Sequence, residues 1–153
     1  ETALIAEGKA ITDSDNICLY LDNLSNEKSL YPKDRYWDCM TMISVTNGIM
    51  ENAVNRYIEM SAISELEQRE KAIERYEKKI LRSISWIENK FEEIFSDEIT
   101  MDQIAIACAL DYTSFRYTSD WGIENPKLKA WLENISENDF MKSTKPGVSF
   151  KYE

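Results

Sequence analysis

Seven apolar residues stand in a row from Ile104 to Leu110. A helix that is apolar on every side belongs inside a bundle, and this run is far too short to span a membrane. Its beginning is marked. Thr100 reads as the N-cap, its hydroxyl accepting from the backbone N–H of Gln103, whose amide reaches back to the Thr100 N–H. Ile99 and Ile104 occupy the two places of a hydrophobic staple. The pattern predicts a buried helix from Thr100 to near Tyr117, with other helices wrapped around it.

Elsewhere the period changes. Thr2 to Ala6 and Lys9 to Thr12 read as short strands joined by the two-residue turn Glu7-Gly8. Two strands alone are marginal in water. Thr12 to Asp15 is a cluster of helix starters, and Ile17, Leu21 and Leu24 continue at helical spacing, which predicts a helix over 14–23. After a polar loop, Pro32 stands in the first turn of a helix that runs to about Met60, roughly 45 Å long. Its broad, mixed apolar face reads as Trp37, Met40, Ile43 (or Ser44), Asn47, Met50 (or Glu51) and Val54. Gly48 lies in mid-helix and reads as a close helix contact or a bend ahead of a ligand approach.

Ser64 to Glu67 forms a second capping box. The helix it opens carries Ile73, Tyr76, Ile80, Ile84, Ile87, Phe91 and Ile94 at steps of three and four, with Glu67–Lys71 and Glu74–Lys78 as outer i,i+4 pairs. Two long helices joined by a short turn predict an antiparallel helical hairpin. Asn125-Pro126 reads as an N-cap with proline at the first helical position, followed by Leu128, Trp131, Leu132 and Ile135 on one face. Phe140 and Met141 mark a last short turn, and the tail from Ser143 reads as extended or frayed.

Composition narrows the possibilities. At 153 residues, 43% apolar and 30% charged, the chain can bury one compact core. A formal charge of −10 disfavours nucleic acid and anionic membrane as partners. The absence of histidine removes histidine general bases, Ser/His/Asp triads and histidine metal ligands. Cys18, Cys39 and Cys108 have no metal-binding spacing, so no metal is expected. They read as reduced core thiols of a cytoplasmic protein. The start at Glu1 rather than Met reads as a piece of a longer or processed protein.

In this order the elements resemble the carboxy-terminal part of a bacterial cytosolic glutathione transferase. Gly8 to Asp22 looks like that family's last strand and the helix bearing its acidic-Ser pair. Leu30-Tyr31-Pro32 looks like its interdomain linker. Ile99 to Leu110 with Tyr112, Phe115 and Arg116 is similar to its capped core helix, Asn125 to Trp131 to its P-x-L-x-x-W segment, and Thr144-Lys145-Pro146 to a common ending. The resemblance implies a mainly α fold. Residues 1–24 would be the end of a thioredoxin-like glutathione-binding domain (a β-hairpin plus helix), and residues 30–146 an all-α glutathione-transferase C-terminal helical bundle. Gln103 replaces the family's usual aspartate in the cap, and Asp13 its usual Glu or Gln before the serine. The family's earlier strands and helices, its thiol-activating residue and its cis-proline have no counterpart here. The catalytic residue is therefore unknown, and the chain alone is expected to be inactive where its parent is active.

Ser14 stands at a helix N-terminus, where free N–H groups and the helix dipole attract an anion, and its hydroxyl adds a donor. Spacing alone reads Asp13 or Ser14 as a simple cap. The resemblance implies that the pair holds the γ-glutamyl end of glutathione. It also implies an electrophile pocket lined by the first half of the long helix and by the core helix, for which Thr46, Ile49, Met50 and Ala53 are the candidates, although a methionine stripe at this spacing also suits plain core. Trp121 reads as a loop anchor before a ligand platform, and no tyrosine as a catalytic base. The implied activity is conjugation of the glutathione thiol to a small hydrophobic electrophile by a homodimer joined through residues 14–60. The alternative is a non-catalytic module of the same fold that mediates protein–protein contacts.

Overall fold

The computed structural model describes residues 2–61, 66–96, 98–117 and 120–145. Two strands, β1 (Ala3–Ala6) and β2 (Lys9–Thr12), pair antiparallel with Ala3 opposite Thr12 and Ala6 opposite Lys9. Glu7 and Gly8 both take positive φ, 50° and 74°. Those values suit the tight turn whose twist matches the strands. Helix α1 (Ser14–Leu24) follows at once.

α2 (Tyr36–Ser61) and α3 (Leu66–Asn89) are the long pair, and α4 (Phe91–Ile94) is a single turn after a break at Lys90. α5 (Met101–Arg116) packs along α2, followed by α6 (Pro126–Ile135) and α7 (Asp139–Ser143). Pro126 takes the first turn of α6 as expected. The capping box read at Ser64 and Glu65, and the family ending at Pro146, lie outside the described residues.

The main core joins Met42, Ile49 and Ala53 of α2 to Ile80, Ile84 and Ile87 of α3 and Ile106, Ala109 and Leu110 of α5, with Trp121 and Leu128 closing one side. Ile80, Ile84 and Ile87 are fully buried, as their three-and-four spacing requires, while Ile73, a turn and more earlier, is half-buried. Outside them Glu67–Lys71 and Glu74–Lys78 form at 2.6 Å each. Phe91 stacks on Phe95, which meets Trp131 edge-on, with ring centroids 4.4 and 4.5 Å apart. That contact turns the short α4 toward α6. A second cluster, Tyr31, Cys39 and Ile43, receives Leu19 and so fastens α1 to α2 and α5.

Four sequence expectations change. α2 begins at Tyr36 instead of Pro32. The Leu30 carbonyl accepts from the Met101 N–H at 2.8 Å and the Leu30 N–H donates to Asp22 at 2.8 Å, which holds this stretch as a tied linker. The buried face of α2 is rotated from the one read. Cys39, Met42, Ile43, Thr46, Ile49 and Ala53 point inward, whereas Trp37 is 78% exposed and Asn47 and Val54 are exposed. Gly48 is not a close contact, because an added Cβ would meet nothing within 4 Å. α5 is not sheathed all round, since Ile104 and Ala105 are half-buried and Cys108 is exposed.

The cap of α5 also differs in detail. Thr100 is the N-cap residue, but its side chain makes no capping bond to the helix. Its hydroxyl donates to Asp102 at 2.6 Å instead, and Gln103 donates to the Glu98 carbonyl at 3.2 Å and the Ile94 carbonyl at 3.4 Å. A cation drives the exchange. Arg35 donates to both oxygens of the fully buried Asp102 at 2.7 and 3.2 Å, and to Thr100 at 3.0 Å. Asp102 at the second position of α5 thus answers the helix dipole and the guanidinium together.

Candidate functional site

Asp13 is the N-cap of α1, with its Oδ1 accepting from the Asp15 N–H at 3.0 Å and its carbonyl from the Ile17 N–H at 3.0 Å. Its φ is +73°. A side-chain-bearing residue in that region is strained by about 1–3 kcal/mol, and such strain collects at functional sites. Asp15 then accepts from Asn47 of α2 at 2.6 Å, so the mouth of α1 is pinned beside the middle of α2.

Asp13 caps; Ser14, one step later, is exposed, and its hydroxyl has no hydrogen-bond partner among the described residues. The first N–H groups of a helix have no partner within it. Asp13 takes the Asp15 N–H, so Ser14 Oγ and the remaining first amides, those of Ser14 and Asn16, form a set of donors at the positive end of the α1 dipole. That set suits a carboxylate. Asp13 Oδ2, outside the capping bond, is an acceptor of the kind an ammonium group uses.

The four pocket candidates separate. Thr46, Ile49 and Ala53 are each 1% exposed. Ile49 and Ala53 belong to the main core, and the Thr46 hydroxyl donates back to the Ile43 carbonyl at 2.7 Å. They face inward because the buried side of α2 is the rotated one described above. Met50 alone of the four reaches a surface concavity of about 210 Å³, which it lines with Cys108, Asp111, Tyr112 and Met141. Met50 follows Asn47 by three residues, so the concavity adjoins the α1 mouth along α2. The resemblance implies the core helix beside the long helix here, and α5 lines the concavity through Cys108, Asp111 and Tyr112; Met141 of α7 is the addition that no local pattern signalled.

None of the cysteines is poised as a thiolate. Burial pushes the Cys108 thiol up, with Asp111 adding to it, although the residue stays open to solvent. Burial and then Asp15 raise Cys18. Cys39, fully buried, is pushed up to about 11 by burial and then by Asp102. Tyr31 is raised as well, chiefly by burial. Trp121 is an anchor: it is 6% exposed and its indole N–H donates to Ser114 at 3.0 Å. Among the described residues no group of three or more His, Cys, Asp or Glu side chains is placed to hold a metal. No helix of the described residues is long and apolar enough to cross a membrane.

Comparison with known proteins bears on the family and the fold. The family described as "Glutathione S-transferase, C-terminal domain" matches residues 70–134. The chain is 26% identical over 145 residues to the uncharacterized GST-like protein YibF of Escherichia coli (strain K12), spanning 92% of this chain and 71% of that one. A glutathione transferase family member from Pseudomonas fluorescens Pf-5, solved with bound glutathione, superposes with a TM-score of 0.86 at 30% identity, over 95% of this chain and 73% of that one. A glutathione S-transferase from Methylobacillus flagellatus KT, also solved with glutathione, superposes at 0.84 and 24% identity, over 94% and 74% of the two chains.

Proposed function

The chain belongs to the glutathione S-transferase family, and from that premise we propose that the α1 mouth binds the γ-glutamyl end of glutathione through Ser14 and Asp13. The Ser14 hydroxyl and the first amides of α1 receive the carboxylate, and Asp13 Oδ2 receives the ammonium. The protein then acts as a glutathione transferase, presenting the thiol to a small hydrophobic electrophile held near Met50. Relatives of this chain were solved with glutathione bound, and the Pseudomonas protein also with S-(propanoic acid)-glutathione, which supports a tripeptide thiol as the ligand.

One observation carries the reading: a serine hydroxyl left unpaired among the described residues at a helix N-terminus, directly after a strained, capping aspartate. A plain cap needs only Asp13. Burial holds the thiols of Cys18, Cys39 and Cys108 above their ordinary range, which disfavours them as nucleophiles; in this proposal the bond is made by the thiol of glutathione.

Calorimetric titration with glutathione tests the assignment. Ser14→Ala is expected to weaken binding about tenfold, the value of one charge-assisted hydrogen bond, with no loss of thermal stability because Asp13 keeps the cap. Equal affinity of the two proteins overturns it. The non-catalytic alternative predicts no saturable glutathione binding at all.

A further inference from the structure

Where α2 and α5 end side by side, two guanidinium groups stand together with different partners. Arg56 donates to Glu77 at 2.7 Å, so its charge is compensated, and it also donates to the Arg116 carbonyl at 3.3 Å. Arg116 has no carboxylate partner among the described residues. It donates to the Tyr112 hydroxyl at 3.2 Å, and its Cζ lies 4.3 Å from the Tyr57 ring centroid and 4.8 Å from that of Phe115. Tyr57 and Phe115 are exposed, 46% and 58%. Aromatic faces hold a cation without neutralising it. In a chain of formal charge −10, an arginine held in place this way keeps its fork of donors for an outside anion.

Tyr112 connects this cation to the concavity. It lines that hollow with Met50 and Cys108, and Cys108, Tyr112 and Arg116 follow one another at i, i+4 and i+8 on one face of α5. Asp111 and Lys145 also line the hollow and offset each other in charge. Arg116 therefore supplies the charge preference of the combined surface.

We propose that Arg116 recognises an anionic end on the second substrate, so that the favoured electrophile is an aromatic or alkyl compound ending in a carboxylate or sulfonate. Its apolar body rests on Met50 and Tyr112, and its anionic end meets the Arg116 guanidinium. The ligand's role as a substrate rests on the transferase reading; its recognition by Arg116 is measured without glutathione.

Two fluorescent probes with the same rings test this: anilinonaphthalenesulfonate, and phenylnaphthylamine, which lacks the sulfonate. Arg116→Gln is expected to weaken the sulfonate about tenfold and the neutral amine less than twofold, with Arg116→Lys about threefold on the sulfonate. Parallel loss of both probes, or loss of neither, overturns the proposal. Should the glutamine variant fail to fold, the wild-type protein decides: rising salt must weaken the sulfonate and spare the amine, and equal insensitivity overturns the proposal. If glutathione fails to bind while the sulfonate still depends on Arg116, the transferase reading falls and this site stands. If glutathione binds and Arg116 is irrelevant to the sulfonate, the reverse holds.

Discussion

Arg35 and Asp102 are joined across 67 residues of chain by a two-pronged pair whose carboxylate is wholly buried. Two charges taken from water gain little net stability as a pair, but removing one strands the other. Arg35→Ala is expected to cost about 3 kcal/mol in urea unfolding; a loss below 1 kcal/mol would mean that Asp102 finds other partners. Cys39 gives a second prediction at this scale. Its thiol is held neutral in the folded chain up to about 11, against an ordinary value of 9.0. The unfolded chain releases that proton first, so the stability tied to Cys39 is complete below pH 9 and is lost as pH rises toward 11. Cys39→Ala should flatten the fall in stability between pH 9 and 11, and an unchanged slope would assign that fall to other groups. The Arg35–Asp102 pair was not legible locally, because each looks like surface charge until the fold brings them together, whereas the burial of Cys39 follows from its reading as a core thiol.

At the level of elements, what was readable tracks the strength of the local pattern. α3 alternates isoleucines with charged residues, so its buried side and both i,i+4 pairs follow from spacing. α2 has apolar residues on every side, and spacing alone misjudged which side is covered: Trp37 is outside and Cys39 inside. Gly48 illustrates the error. Of its two readings, a close contact or a bend, the contact fails, because its surroundings are open. Gly48→Ala is therefore expected to stabilise the protein by up to about 1 kcal/mol, measured as a raised denaturant midpoint; destabilisation would reveal a contact at that point. The start of α6 teaches the same lesson from the other end. Asn125 takes the N-cap position, but its amide donates to the Trp121 carbonyl at 2.7 Å. The free amides of Lys127 and Leu128 are met by Glu88 of α3 at 3.1 and 2.9 Å. Sequence named the helix start correctly and could not name the cap, which lies 39 residues upstream of Lys127.

Across the whole molecule, the element order and the family were legible because no single motif had to carry them. A hairpin, a capped short helix, two long helices and an apolar helix follow in one sequence, and the structure keeps that order. The site was legible only in part. Asp13 and Ser14 announce themselves as helix starters, whereas the surface of Met50, Tyr112 and Arg116 depends on how α2 and α5 are rotated against each other. Leu21, Leu24 and Trp37 are exposed, 51%, 60% and 78%, within the stretch 14–60 through which a homodimer is proposed. Trp37→Glu is expected to shift the protein toward monomer in light scattering after gel filtration, and an unchanged mass would move the interface elsewhere. The claim on which the functional account depends is that glutathione meets the chain at the mouth of α1. Amide resonances followed through a glutathione titration address it most directly. The account predicts saturable shifts that are largest at Ser14, Asp15 and Asn16 and that need about tenfold more glutathione in Ser14→Ala; shifts centred on another part of the chain, or none at saturating glutathione, would contradict it.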